Sequence, residues 1–121
     1  MPRIAAKVDA NQSAIVDAVR RMGCTVQPLH SMGQGCPDLL VGVSGYNLLW
    51  EIKDGSQPPS ARRLTADQII WHDEWRGQVQ VVDSVEKAIQ VVNFWRNHVQ
   101  SCACAAKPER PATVHGYNPA R

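Results

Sequence analysis

Three side chains of this sequence have the types and spacing to do chemistry: Asp38, preceded by Pro37, and Glu51 and Lys53 a dozen residues later. They sit on two apolar runs, Asp38 to Val43 and Asn47 to Lys53, with Ser44-Gly45-Tyr46 between them as a turn. Folding the pair about Gly45 makes a hairpin and brings Asp38 opposite the Glu51 to Lys53 segment. Alternation then puts Glu51 and Lys53 on one face and Trp50 and Ile52 on the other. Two carboxylates and an ammonium at the end of an apolar hairpin are costly to place unless something pairs with them. A divalent cation held by hard oxygen ligands would do so.

The elements around that hairpin must hold it in place. Asp9, as a cap with Gln12 at the third helical position, opens a helix whose stripe is Ile15, Ala18, Val19 and Met22, and Gly23 stops it. Thr25 to Leu29 follows as a short strand, and Pro28 marks it as a sheet edge or a strand end. The connection from His30 to Cys36 contains Ser31, Gly33 and Gly35. Glycines there let backbone approach a phosphate closely, or simply form turns. After the hairpin, Asp54 to Arg63 is a polar, proline-rich loop that leaves the sheet beside the acids and could meet a substrate backbone. Thr65 and Gln68 form a capping box, and Leu64 with Ile69 a hydrophobic staple, at the start of a helix running to about Trp75. Gln78 to Val82 is a valine-rich strand. Ser84 caps a last helix with Val85, Ala88, Ile89, Val92 and Trp95 on one face.

This order is helix, three strands, helix, strand, helix. It predicts an α/β domain with a mixed sheet of about four strands flanked by helices, the second helix serving as a crossover. Residues 1–100 form the domain, and 101–121, with Pro108, Pro111, Gly116 and Pro119, read as a poorly ordered tail. With 121 residues and 44% hydrophobic content the chain is long enough for one cored domain. A formal charge of +2 does not announce a nucleic-acid binder, so basic surface must come from local pairs such as Arg62-Arg63, which also read as a solvated face. The absence of a long apolar run argues against a membrane span, and the N-terminus lacks the apolar core of a signal peptide. The chain therefore reads as cytoplasmic, with its four cysteines as free thiols. Cys102 and Cys104, with His98 and His115, fit no standard zinc spacing. Trp50 and Trp95 read as core, whereas Trp71 and Trp75 share a helix face suited to a subunit contact.

Pro37-Asp38 and Glu51-Ile52-Lys53, on two strands between a helix-strand and a helix-strand unit, resemble the PD-(D/E)XK nuclease superfamily. With Leu64 to Gln68 opening the next helix, the resemblance is strongest to its VRR-NUC and Holliday-junction-resolvase-like branch of phage and archaeal proteins. It covers Asp9 to Val92 in order and spacing, and leaves out the tail. It implies a restriction-endonuclease-like core of order α-β-β-β-α-β plus a C-terminal helix, in a bacterial or phage-infected host cell. It also implies an Mg2+- or Mn2+-dependent endonuclease acting on structured or branched DNA, as a homodimer. The alternatives are a restriction-like or repair nuclease on duplex or flap DNA, and a DNA-binding protein that keeps the fold without turnover.

In such a site Asp38, Glu51 and the Ile52 backbone carbonyl would hold the cation, and Lys53 would orient or deprotonate the attacking water or steady the pentacovalent state. Relatives carry an acid in the first helix where this chain has Gln12, which either binds metal through its amide oxygen or completes the Asp9 cap. Asp9 and Asp17 are the other candidates. Gln68 and His72 resemble a glutamine-x-x-x-tyrosine or histidine element that approaches the site or the DNA, while the capping box is the competing account of Gln68. Ser31, Gly33, Gly35, Arg62, Arg63 and His72 are the expected DNA contacts.

Overall fold

The computed structural model describes residues 8–101, the last three as backbone alone. The first helix, α1 (Gln12–Arg21), presents Gln12, Ile15 and Val19 to the interior. Its N-cap is Asn11, not the expected Asp9, and no side chain caps it. Asp9 contributes instead its backbone oxygen, which accepts from the Gln12 N–H at 3.0 Å. Gly23, at φ 93°, turns the chain out of the helix in a conformation that only glycine takes without strain.

Four strands follow in the sheet order β1 (Thr25–Pro28), β2 (Leu39–Val43), β3 (Tyr46–Ile52) and β4 (Gln80–Val82). The first three form an antiparallel meander and β4 adds parallel to β3. Pro28 ends β1 at the sheet edge, where its missing N–H costs no ladder bond. Tyr46, expected in the turn, instead pairs with Val43, so Ser44 and Gly45 alone make the hairpin turn. Both have positive φ, 50° and 87°, as a two-residue mirror-image turn requires to match strand twist.

The register Leu39↔Trp50 and Val41↔Leu48 sets these four residues on one face, all buried at 1% exposure or less. Ile15 and Val19 of α1 join them there, as do Ala88, Val91 and Val92 of α3 (Val85–Ser101). The two helices pack on each other over this face. The third helix starts under Ser84, whose Oγ accepts from the Lys87 N–H at 3.0 Å. Trp95 is half-buried against Tyr46, with ring centroids 4.6 Å apart.

The second helix, α2 (Ala66–Glu74), differs from the others because none of its residues is buried. Its predicted capping box is present in both directions. The staple is not closed in the expected way, for Ile69 is 55% exposed. Two connections expected to be irregular contain short 3-10 turns, at His30–Met32 and Pro59–Arg62. The observed order, a mixed four-stranded sheet with three helices, is the α/β architecture expected from the sequence. The expected tail, with Cys102, Cys104 and His115, lies outside the described residues.

Candidate active site

Continuing the β2–β3 register by one residue beyond Leu39↔Trp50 sets Asp38 opposite Glu51, on the face away from the core. Asp38 is fixed by its backbone on both sides: its N–H donates to Trp50 O at 2.9 Å, and its carbonyl accepts from the Leu29 N–H at 2.7 Å. Its Oδ2 accepts from the Ile52 N–H at 2.7 Å. That bond identifies the edge of β3 facing Asp38, and a strand residue carries its carbonyl on the same edge as its N–H. Lys53 lies one pleat beyond Glu51, and its N–H donates the other way, to Val82 O at 3.1 Å.

Glu51 is 1% exposed and Lys53 9% exposed. They are joined by one side chain of α2, that of Gln68. Its Nε2 donates to Glu51 Oε2 at 3.0 Å, and its Oε1 accepts from Lys53 Nζ at 2.9 Å. The same Oε1 accepts from the Thr65 N–H at 2.9 Å within the capping box. The two accounts of Gln68 that compete in the sequence are both realised at once. The box fixes the start of α2, and the fixed side chain ties that helix to the two charged residues of β3.

The electrostatics follow from burial. The Glu51 carboxyl is pushed up to about 9, first by desolvation and then by a hydrogen bond to Asp38 and its charge. The Lys53 ammonium opposes this, and Asp9 adds a smaller push upward. Burial beside a second carboxyl thus favours the protonated form of Glu51. Glu51 Oε1 has no hydrogen-bond partner, nor has His72 Nε2, which faces it from 3.9 Å. Burial and the Lys53 charge hold His72 below its ordinary value, keeping the imidazole neutral.

Not every expected residue joins this cluster. Gln12 is 7% exposed, with an Oε1 that finds no partner, and it takes no part in a side-chain cap with Asp9. Asp17 is exposed. His72, expected to approach the site or the DNA, has its Nε2 3.9 Å from Glu51 Oε1. Gly35 does not offer open backbone, because a Cβ there would collide with the carbonyl of Asp67 and lie 2.7 Å from its carbon. The glycine therefore lets the loop lie flat against the first turn of α2. Gly33, at φ 71°, ends the short turn that begins at His30, and Ser31 is exposed. Arg62 donates through Nε to Gln57 O at 2.8 Å and closes its own loop, while Arg63 is exposed.

Two residues enter that the sequence did not single out for the site. Asn11 donates through Nδ2 to Lys53 O at 3.0 Å and to Asp83 O at 3.1 Å, clamping the ends of β3 and β4 to the start of α1. Its place before the helix was the only sequence signal. Cys36 is close enough to Glu51 and Asp38 for both charges to hold its thiol up, behind the larger effect of burial. Only its nearness to Asp38 in sequence hinted at this.

The donor set suits a hard cation that keeps several waters, since such an ion needs only one or two carboxylates from the protein. Among the described residues no cluster of three or more acidic, histidine or cysteine side chains suits a metal, so the remaining ligands would be amide or carbonyl oxygens. The orphaned Glu51 Oε1 and the proton held by Glu51 fit that picture, for a cation would replace the proton.

The molecule is thus an α/β domain whose sheet ends in a half-buried aspartate, a buried glutamate and a buried lysine, tied to α2 by Gln68. No family model matches the chain, and comparison with curated proteins gives no match. Among solved structures it is similar to a chain described as a VRR_NUC domain, with a TM-score of 0.53 at 24% identity. The match covers 69% of this chain and 91% of that one, and it is a likeness of fold.

Proposed function

We propose that this chain is a metal-dependent DNA endonuclease of the PD-(D/E)XK type, close to the VRR-NUC branch, cutting structured or branched DNA. The observation that carries the reading is the meeting of Asp38, Glu51 and Lys53 at one sheet end, Asp38 bonded to the Ile52 N–H and Gln68 joining Glu51 to Lys53. Asp38, Glu51 and the Ile52 carbonyl would hold Mg2+ or Mn2+. Such an ion would neutralise charge on the scissile phosphate as a Lewis acid and make a bound water more acidic.

The chain's own groups do the rest. Lys53 Nζ, held by Gln68, is an ammonium one pleat from Glu51 that orients the attacking water or meets the charge building on the phosphorus oxygens. Gln68 keeps Glu51 Oε2 engaged, so its Oε1 is the atom free to turn to a ligand. Neutral His72 beside that oxygen is able to accept a proton from a bound water.

The test is a panel of end-labelled hairpin, flap, junction and linear duplex DNA incubated with Mg2+, Mn2+ or chelator. Cleavage in either metal, lost in Asp38→Asn and Lys53→Met proteins of unchanged circular dichroism, is the expected result. Binding without cleavage of any substrate in both metals would leave a DNA-binding module and overturn the enzyme.

A further inference from the structure

The helix that roofs the site carries an aromatic pair which the chemistry above does not use. Trp71 and Trp75 stack with centroids 4.6 Å apart and planes 19° from parallel, and Trp75 is 43% exposed. Trp75 closes α2, its N–H donating to Trp71 O at 3.0 Å. Its indole lies over Gly77, where a Cβ would stand 2.8 Å from Nε1. The stack is therefore a seated feature of the surface.

Its position relative to the site follows from the helix. At about 100° per residue, Gln68, Trp71, His72 and Trp75 fall within an arc of about 100°. Gln68 and His72 on that arc reach Glu51, so the indoles flank the place where the scissile phosphate would lie. The carboxylates Asp67, Asp73 and Glu74 fall outside it, as do Ile69 and Ile70, the helix's exposed aliphatic residues. Arg76 follows directly and places a cation at that end, its Nη1 bonded to Asp73 O at 3.0 Å. An aromatic face beside a phosphate site, bordered by arginine and free of carboxylates, suits a nucleobase and its backbone. Ile69 and Ile70, 55% and 54% exposed and outside the arc, offer a second copy of the chain apolar surface away from the indoles.

We propose that Trp71 and Trp75 form a stacking platform for an unpaired base of the strand being cut, so that the substrate carries unpaired nucleotides beside the scissile bond. A paired base has its faces covered by neighbours, whereas an unpaired one exposes a face to the indole. The proposal rests on the nuclease reading for the placing of the scissile phosphate, but the binding itself does not require cleavage.

Two arms test it. In chelator, the full chain is titrated with fluorescein-labelled oligothymidylate of about ten nucleotides and with a blunt duplex hairpin, following anisotropy and tryptophan emission. The expected result is preference for the single strand with quenched emission. Trp75→Ala should weaken that binding about tenfold and abolish the quench, with blunt-duplex binding unchanged and Trp75→Phe within a few-fold of the natural chain. Equal affinity of the Trp75→Ala and natural proteins for oligothymidylate, at matching circular dichroism, would overturn the platform. So would a Trp75→Ala protein that merely turns from dimer to monomer in sedimentation with its DNA affinity intact. The second arm adds Mn2+ and compares blunt with single-strand-tailed duplexes. Cleavage of both at equal rates with or without Trp75 sinks the platform and spares the nuclease. Trp75-dependent binding with no cleavage does the reverse.

Discussion

Replacing Glu51 with glutamine should make the metal-free protein more stable, and the gain should grow with pH. In the folded chain the Glu51 carboxyl sits at about 9 against an ordinary 4.5, so between those values the folded state holds a proton that the unfolded state has lost. Its contribution is complete below about pH 4.5 and drains away as pH rises through about 9. Each pH unit in that window costs about 1.4 kcal/mol, so from pH 6.5 to 8.5 the natural chain should lose about 3 kcal/mol. The window lies above the depressed His72 transition, which acts in the opposite sense only at lower pH. Glutamine copies the shape of the protonated acid: its amide donates toward Asp38, and its oxygen still accepts from Gln68 Nε2. Urea denaturation of both proteins in chelator at half-unit pH steps measures the two slopes. A steep fall for the natural chain and a flat line for Glu51→Gln is expected. Parallel slopes would refute the raised Glu51 carboxyl and the buried setting that raises it.

Further outcomes follow from single contacts. Gln68→Ala removes half of the capping box and the bridge between Glu51 and Lys53, so stability should fall by about 1 kcal/mol and DNA cleavage by about 10- to 100-fold, read by denaturation and by gel. Gly35→Ala puts a methyl into the Asp67 backbone at a φ of +83°, and should cost about 2 kcal/mol in urea while lowering cleavage, because α2 must move to accommodate it. Asn11→Ala leaves the carbonyls of Lys53 and Asp83 without their shared donor, and should cost about 1 to 3 kcal/mol, visible as faster hydrogen exchange at the ends of β3 and β4.

Much of this was legible in the sequence because it depends on local chemistry. Strand alternation from Leu39 to Ile52 set the core face, Ser44-Gly45 announced the turn, and Thr65 with Gln68 announced the helix start. That Asp38 lies opposite the Glu51 to Lys53 segment followed from the hairpin, and the two-residue turn then fixes Glu51 as its partner. What escaped depends on how elements meet. Asn11 looks like any residue before a helix until β3 and β4 arrive under it. Gly35 resembles an open loop glycine until the first turn of α2 lies on it. The true cap of α1 was missed because an Asp and an Asn two residues apart are equally good caps by type, and the backbone path decides between them. For His72 the resemblance left the site and the DNA both open, and only the placing of α2 over β3 shows that it faces Glu51.

The claim that carries the account is that Asp38 and Glu51 form one cation site. Titrating the natural, Asp38→Asn and Glu51→Gln proteins with Mn2+ and reading free ion by electron paramagnetic resonance tests it without DNA. The account predicts a single Mn2+ bound by the natural chain, more tightly as pH rises because the ion displaces the proton on Glu51, and lost in either variant. Undiminished Mn2+ binding in both variants would contradict it.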